Sequence, residues 1–155
     1  MGDYRFRWDV IPQNFEFLMT GLQQTLTISA ITLCLAMLGG LIIALLDMSR
    51  SAILRFIGVA IGEVVRNTPV IVQLLWIYYV LPMVLGINLD SWTALVVGLS
   101  IYSSAFIAEV YRAGIQAVPV GHKEAAQVLG LSQIQSFYRI ILPQAIRLTL
   151  PPLAA

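Results

Sequence analysis

The sequence predicts an all-α fold: a polytopic bundle of transmembrane helices with a cytoplasmic helix-turn-helix loop. The composition and the long uncharged runs indicate this. Hydrophobic residues make up 59% of the 155 residues and charged residues only 11%, whereas soluble domains carry about 25% charged residues. A soluble domain of this length leaves much of its surface exposed, so lipid is the solvent that accepts this much apolar surface. The formal net charge of +1 provides no basic patch for nucleic acid.

The first span is predicted over residues 17–46. This run contains no charged residue, and it exceeds the roughly 20 apolar residues that a spanning helix needs. The charges before it have both signs, which is not typical of a signal peptide, so the segment is expected to be retained. A stripe of small residues at helical spacing should pack against another helix; it comprises Thr25, Ser29, Thr32 and Ala36.

The second span is predicted over residues 53–82, with an interruption at Asn67-Thr68-Pro69. Thr68 is expected to cap a new half-helix that Pro69 begins, and Gln73 is expected to bond to another helix. The third span is predicted over residues 92–113, with Ser100 and Ser104 on a face that packs closely. A further span should start at residue 143 and continue to residue 155.

Positive residues in short loops predict the orientation, because such loops face the cytoplasm. Arg50 and Arg55 follow the first span, whereas the loop of residues 82–91 carries no Lys or Arg. Further positive residues follow the third span: Arg112, Lys123, Arg139 and Arg147. The N-terminus and the loop of residues 82–91 are therefore expected to face outward.

The loop of about residues 117–142 is predicted to form a helix-turn-helix on the membrane surface. Gly130 suits the left-handed position that ends the first helix, and Ser132 with Gln135 fits a capping box for the second. Pro143 suits the first turn of the next helix. Two small residues, Ala125 and Ala126, would let another protein approach closely, while Val128, Leu129 and Leu131 supply apolar contact. An amphipathic helix that merely rests on lipid is the alternative.

The same loop resembles the signature of ABC-importer permeases. Glu124-Ala125-Ala126, Gly130 and Ile140-Ile141-Leu142-Pro143 match every fixed position of their EAA pattern. Two further segments are similar to the branch for polar amino acids, the histidine, glutamine, arginine and glutamate type: Arg66-Asn67-Thr68-Pro69 with Gln73 and Leu81-Pro82, and Ala108-Glu109 with Arg112 to Ile115. Permeases of this branch usually have five spans, so the resemblance implies that the C-terminal spans are missing from this sequence.

The resemblance implies a multi-pass protein of the bacterial inner membrane that moves polar amino acids. Its coupling loop inserts into a cytoplasmic ATPase, so the expected coupling residues are Glu124, Ala125, Ala126, Leu129, Gly130 and Leu131. The implied partners are ABC ATPase subunits, a second permease subunit, a periplasmic amino-acid-binding protein and membrane lipid. The sequence contains no Gly-Lys-Ser/Thr nucleotide loop, so ATP is expected to be used by the partner, and no enzyme activity, cofactor or metal is expected in this chain.

Charged groups within spans are costly, which makes them candidates for the substrate path. We hypothesise that Thr68 and its neighbouring amides hold the carboxylate of an amino acid, while Glu109 receives its ammonium group; Arg66, Pro69 and Gln73 line the same path. The alternative is structural: Glu63 and Arg66, like Glu109 and Arg112, have the spacing of ion pairs on a helix face. An ATP-independent secondary transporter and a truncated, non-transporting fragment remain alternative functions.

Overall fold

The computed structural model describes residue 8 and residues 10–153, and every regular element in that part is helical. The all-α prediction is therefore confirmed. The charges before residue 8 and the last two residues of the predicted final span lie outside the described residues. The helices are α1 (Val10–Gln13), α2 (Phe15–Asp47), α3 (Ala52–Arg66), α4 (Val70–Leu75), α5 (Leu81–Leu85), α6 (Ser91–Gln116), α7 (Val120–Val128), α8 (Gln133–Ser136) and α9 (Leu142–Leu153).

Two of these helices are long and apolar enough to cross a membrane. α2 has 33 residues and a mean hydropathy of 2.5 in its most apolar window, and α6 has 26 residues and a value of 1.6. They contain the predicted spans 17–46 and 92–113. α6 begins at Asp90, whose carboxylate accepts hydrogen bonds from the Thr93 hydroxyl at 2.6 Å and the Thr93 amide at 3.1 Å. These bonds stabilise the charged form and lower the pKa of the Asp90 carboxyl.

Small residues bring α2 and α6 into close contact. The buried face of α2 consists of Thr32, Ala36, Gly40 and Ala44, and it packs on a face of α6 that includes the buried Ser100 and Ser104. A Cβ atom at Gly40 would lie only 3.0 Å from the Ser104 carbonyl oxygen. Of the predicted stripe, Thr32 and Ala36 pack against α6, whereas Thr25 and Ser29 contact no other helix closely enough to be buried in the described part of the chain. The contact instead continues toward the C-terminal end of α2.

The second apolar stretch is two helices rather than one straight span. α3 and the helix that runs from Val70 to Leu85 meet at an angle of 102° across the break. The middle of α3 passes the end of α2, where a Cβ atom at Gly58 would lie 2.7 Å from the Asp47 amide nitrogen. The interruption at Asn67-Thr68-Pro69 thus turns the chain by about a right angle, and the predicted span 53–82 corresponds to a broken span or a re-entrant segment.

Two π-helical turns stand at matching positions before a Leu-Pro pair. One joins α4 to α5 at Trp76–Val80, and the other joins α8 to α9 at Phe137–Ile141. In each, the leucine amide bonds five residues back, from Leu81 to Trp76 and from Leu142 to Phe137. Proline lacks an N–H group and clashes with the carbonyl four residues earlier, and the extra residue of a π turn relieves this clash. Pro143 therefore lies in the first turn of α9, as predicted, but α9 continues from α8 without a break.

The contact between α2 and α6 should tolerate no side chain at Gly40. Gly40→Leu places a side chain against Ile107 and the Ser104 backbone, so we expect the protein to lose about 1–3 kcal/mol of stability through overpacking. Gly21→Leu is the matched control, because nothing lies within 4 Å of a Cβ atom there. Thermal unfolding in detergent measures both. Equal melting temperatures for the two variants would contradict the packing described here.

Candidate functional site

The helix-turn-helix of residues 120–142, here named the elbow, is closed by backbone hydrogen bonds at its turn. Gly130 has φ of +72°, and the Leu131 amide donates to the Ala126 carbonyl at 3.1 Å while the Gly130 amide donates to the Gln127 carbonyl at 2.9 Å. This pair of bonds is the Schellman motif. The predicted capping box is also present: the Gln135 amide donates to Ser132 Oγ at 3.3 Å and the Ser132 amide donates to Gln135 Oε1 at 3.0 Å. The elbow is therefore a defined structure.

The two alanines of the loop face in different directions. Ala126 is fully buried within the chain, whereas Ala125 is exposed. Opposite Ala126, the exposed residues Glu124 and Val128 lie one turn apart, and Val128 is 88% exposed. The free face of α7 therefore offers the side chain of Ala125 but not that of Ala126, and the contact of either alanine with an ATPase stays a prediction.

The leucines of the loop also differ. Leu129 is 75% exposed next to Val128. Leu131 is half-buried and lines a crevice of about 280 Å³ between the loop and the ends of α2 and α6, together with Met48 and Ile115. The free face of α7 therefore comprises Glu124, Ala125, Val128 and Leu129. Leu131 instead helps to seat the loop on the helix bundle.

Charged side chains meet in a cavity at the same end of the bundle. Its volume is about 600 Å³, and it opens between the C-terminal end of α2, α3 and the last turns of α6. Six ionisable residues of balanced charge line it: Asp47, Arg55, Glu63, Arg66, Glu109 and Arg112. In the described part of the chain, no group of His, Cys, Asp and Glu side chains is placed to hold a metal ion.

Ion pairs connect four charged residues of α3 and α6 across this cavity. Arg66 Nη2 lies 2.7 Å from Glu63 Oε1, and Arg66 Nη1 lies 3.7 Å from Glu109 Oε2. Glu109 also pairs with Arg112, whose Nε donates to Glu109 Oε2 at 3.1 Å. Both spacings expected of helix-face pairs are realised, and Arg66 in addition connects α3 to α6. The Glu109 carboxylate thus stands between two guanidinium groups, in reach of the cavity.

The break between α3 and α4 is held by side chains that bond to its exposed carbonyls. Gln73 Nε2 donates to the Val65 carbonyl at 2.7 Å and to the Thr68 carbonyl at 3.1 Å. The Thr68 hydroxyl donates to the Val64 carbonyl at 2.7 Å. The expectation that Thr68 caps the next helix is therefore wrong, because its hydroxyl bonds backward. Pro69 occupies the N-cap position of α4, without a side-chain hydrogen bond.

The structure separates the predicted substrate-path residues into two groups. Arg66 and Glu109 line the charged cavity. Thr68 and Gln73 line a mostly apolar cavity of about 350 Å³ on the other side of the break. Because the two groups line different cavities, the geometry does not support one amino acid held jointly by Thr68 and Glu109.

Comparison with known proteins assigns the family. Residues 36–155 match the family model described as "Binding-protein-dependent transport system inner membrane component". The chain belongs to this family. The match begins inside α2 and includes the charged cavity, the break and the whole helix-turn-helix loop, so each feature described above falls within the family's conserved domain model.

Individual relatives agree with this assignment. The chain is 40% identical over 144 residues to the probable glutamine ABC transporter permease protein GlnM of Bacillus subtilis, with 93% of this chain and 66% of the relative covered. It is 38% identical over 154 residues to the glutamine transport system permease protein GlnP of Escherichia coli K12, with 96% and 68% covered. The chain thus spans about two thirds of the length of these permeases, 66% for GlnM and 68% for GlnP.

A solved structure has the same fold. The crystal structure of an amino acid ABC transporter with histidines superposes with a TM-score of 0.91 at 38% identity. The superposition covers 97% of this chain and 70% of that one. The agreement therefore extends over nearly the whole chain.

Sequence analysis missed several residues of the site. Val128 was expected to supply apolar contact but was left out of the coupling residues, although it lies four positions after Glu124 and therefore on the same helix face. Asp47 and Met48 were not among the candidate site residues, and only the packing of α3 across the end of α2 brings them to the cavity. No local signal in the sequence indicates that contact.

Gly130 should be required for a closed elbow. Gly130→Ala forces an L-residue into the left-handed region, which costs about 1–2 kcal/mol. Hydrogen exchange at the Gly130 and Leu131 amides should therefore accelerate by about 5- to 30-fold, as 1.4 kcal/mol corresponds to tenfold. Gly121→Ala is the control, since no unusual φ or close neighbour is found there. If the two variants exchange at the same rate, the Schellman elbow is not what protects these amides.

Proposed function

We propose that this chain is the permease subunit of an ATP-driven importer that carries polar amino acids across the bacterial inner membrane. The observation that carries the proposal is the elbow of residues 120–142, a rigid surface knob in a chain of this family. Its free face presents an acidic residue, a small residue and two large apolar ones: Glu124, Ala125, Val128 and Leu129. A shallow cleft on a soluble partner can accept such a knob, because the apolar side chains supply burial and the alanine allows close approach.

The proposed mechanism needs partners outside this chain. A periplasmic binding protein delivers the amino acid, a second permease subunit completes the path, and cytoplasmic ABC ATPase subunits bind and use ATP. This chain holds no cofactor and catalyses no reaction. Closure of the ATPases moves the docked elbow, and the membrane helices switch between outward and inward access. Amino-acid and glutamine permeases among the relatives support the substrate class.

The proposed orientation places the elbow and the charged cavity in the cytoplasm. Arg50 and the elbow lie at the same end of the bundle, since Arg50 contacts Gln133. Positive loops remain on the cytoplasmic side, so α2 runs inward and the N-terminus faces outward. This orientation puts the elbow where a cytoplasmic ATPase can reach it, and it puts the turn after α5 at the outer surface.

A charge on the free face of α7 should abolish docking. Val128→Glu places a second carboxylate one turn from Glu124, and burying an unpaired charge in an interface is strongly unfavourable. We expect at least a tenfold loss of ATPase co-purification, about 1.4 kcal/mol. Val128→Thr keeps the shape without the charge and is the matched control. Undiminished co-purification and ATP-driven uptake with Val128→Glu would exclude this face as the docking site.

For the substrate path we propose the charged cavity, with Glu109 as the group that meets the ammonium of the amino acid and Arg66 as the group that meets its carboxylate. The two side chains are already 3.7 Å apart, and a zwitterion can replace their mutual contact with one of each sign. Thr68, Pro69 and Gln73 then serve to hold the break. A cavity lined by equal numbers of positive and negative groups suits the ammonium and carboxylate groups of an amino acid, whose charges cancel.

Removing the charge of Glu109 should weaken transport without releasing the ATPase. With Glu109→Gln we expect the KM for uptake to rise by about tenfold, because a hydrogen bond to a charged group contributes about 1.5–3 kcal/mol. Thr68→Val is the comparison: it is nearly isosteric and lies in the other cavity, but it removes one hydrogen bond of the break, so uptake should fall less than with Glu109→Gln. The opposite ranking of the two variants would move the path to the Thr68 side of the break.

The alternative functions are separated by simple measurements. An ATP-independent secondary transporter would carry amino acids after the ATPase is removed, and it gives no role to the elbow. A non-transporting fragment would bind the ATPase and still fail to support uptake. The family assignment favours the ATP-driven importer over the ATP-independent secondary transporter, and the uptake measurement decides between the importer and the fragment.

A further inference from the structure

The turn between α2 and α3 lies between the elbow and the charged cavity. Met48 lines both spaces: the crevice of about 280 Å³ under the elbow and the cavity of about 600 Å³ that holds the ion pairs. Its neighbours Asp47 and Ser49 also line the charged cavity. A single short turn therefore forms a wall that the crevice and the charged cavity share. A displacement of this wall changes the shape of the crevice or of the cavity.

A side-chain contact ties this turn to the elbow. Arg50 Nη2 donates to Gln133 Oε1, across 83 positions of sequence. Gln133 is the first residue of α8, directly after the capping box at Ser132. The guanidinium of Arg50 thus binds the elbow at the point where its second helix starts, and this contact is independent of the packing of Met48 in the crevice.

The turn itself is short and braced, so it can transmit a displacement. The Met48 amide donates to the Ala44 carbonyl at 3.1 Å and the Ser49 amide to the Leu46 carbonyl at 3.0 Å, which continue α2 into the turn. The Ser51 amide donates to Ser49 Oγ at 3.2 Å. A segment with its backbone groups satisfied in this way moves as a unit with the end of α2, rather than absorbing the motion in its own dihedral angles.

The turn also places the Asp47 carboxylate at the charged cavity. Asp47 Oδ1 is buried without a hydrogen-bond partner among the described residues, and Asp47 lines the cavity beside Glu63, Arg66 and Glu109. A buried carboxylate oxygen that lacks a partner is costly, so a small shift of the turn changes the balance of the ion pairs around it. Electrostatic contacts between partly exposed groups are weak enough to rearrange in this way.

We propose that Arg50 is a positioning residue that couples the elbow to the charged cavity through the α2–α3 turn. This inference rests on the proposed function, and it adds a second route of transmission beside the direct chain connections from the elbow to α6 and α9. Movement of the docked elbow pulls Gln133, Arg50 follows, and Met48 with Asp47 changes the wall of the cavity. Arg50 itself touches neither ATP nor the transported amino acid in this scheme.

The test measures how much uptake each ATP supports. The native complex that contains this chain, with its ATPase and binding protein, is reconstituted in proteoliposomes. With Arg50→Ala we expect unchanged ATPase co-purification and basal hydrolysis but a fall of about threefold in amino acid imported per ATP, the size of effect that one exposed charged contact supplies. Arg50→Lys should restore part of the ratio, and Arg50→Ala with Gln133→Ala should be no worse than Arg50→Ala alone.

Two variants give matched comparisons. Gln133→Glu replaces the acceptor by a carboxylate, which should keep or raise the import ratio when Arg50 is present and give no rescue in Arg50→Ala. Arg139→Ala removes an exposed arginine whose side chain forms no hydrogen bond or ion pair with the described residues, and it should leave the ratio unchanged. An unchanged ratio in Arg50→Ala, or an equal fall in Arg139→Ala, would overturn the proposal.

The outcome separates this inference from the proposed function. If the unaltered complex imports no amino acid at the expense of ATP, the proposed function fails, whatever Arg50 does. If the unaltered complex transports and Arg50→Ala keeps the full import ratio, only the coupling role of Arg50 fails. If Arg50→Ala does not assemble, the import ratios of Gln133→Ala and Arg50→Lys decide instead. Gln133→Ala keeps Arg50 and removes its acceptor, and Arg50→Lys keeps the positive charge and changes the donor. An unchanged ratio in Gln133→Ala would then overturn the proposal.

Discussion

The close packing of α2 on α6 is the constraint on which the rest of the structure depends. Helices in lipid gain no hydrophobic energy from association, so they approach through small residues and van der Waals contact. At Gly40 the contact leaves no room for a Cβ atom. Because the packing fixes the relative heights of the two helices, it sets the end of α2 beside the last turns of α6. The charged cavity and the seat of the elbow both form at that junction.

The break between α3 and α4 is possible only because side chains satisfy its backbone. Lipid offers no hydrogen bonds, so a non-helical segment at membrane depth needs partners within the protein. Gln73 supplies one by bonding to the carbonyls of Val65 and Thr68, and Thr68 supplies another by bonding to that of Val64. The residues that seemed chemically suited to a ligand at the sequence level are thus partly occupied in holding the bend. At the bend, Arg66 at the end of α3 lies beside α6 and forms an ion pair with Glu109.

Local signals were sufficient for the elements that depend on neighbours in sequence. The uncharged runs predicted the positions of α2 and α6, while Gly130, Ser132 and Gln135 predicted the elbow with its cap, because those features are set within a few residues. Contacts between distant segments were not accessible in the same way. The burial of Ala126, the shift of the small-residue stripe toward Gly40, and the meeting of Asp47 with α3 depend on the angle at which helices cross. The 102° bend is a tertiary result that the Asn-Thr-Pro sequence permits but does not fix.

The distribution of strong and weak contacts is consistent with a coupled membrane switch. Backbone hydrogen bonds and close packing make the elbow and the α2–α6 pair rigid, whereas the cavity between them is held by partly exposed ion pairs. Such pairs contribute only about 0–1 kcal/mol each, so they can exchange partners at little cost when the rigid parts shift. A cavity closed by apolar packing would resist the same shift, because separating those surfaces exposes area at about 25 cal/mol per Å². We infer that the charges are placed where the structure has to change, and the small residues where it has to stay the same.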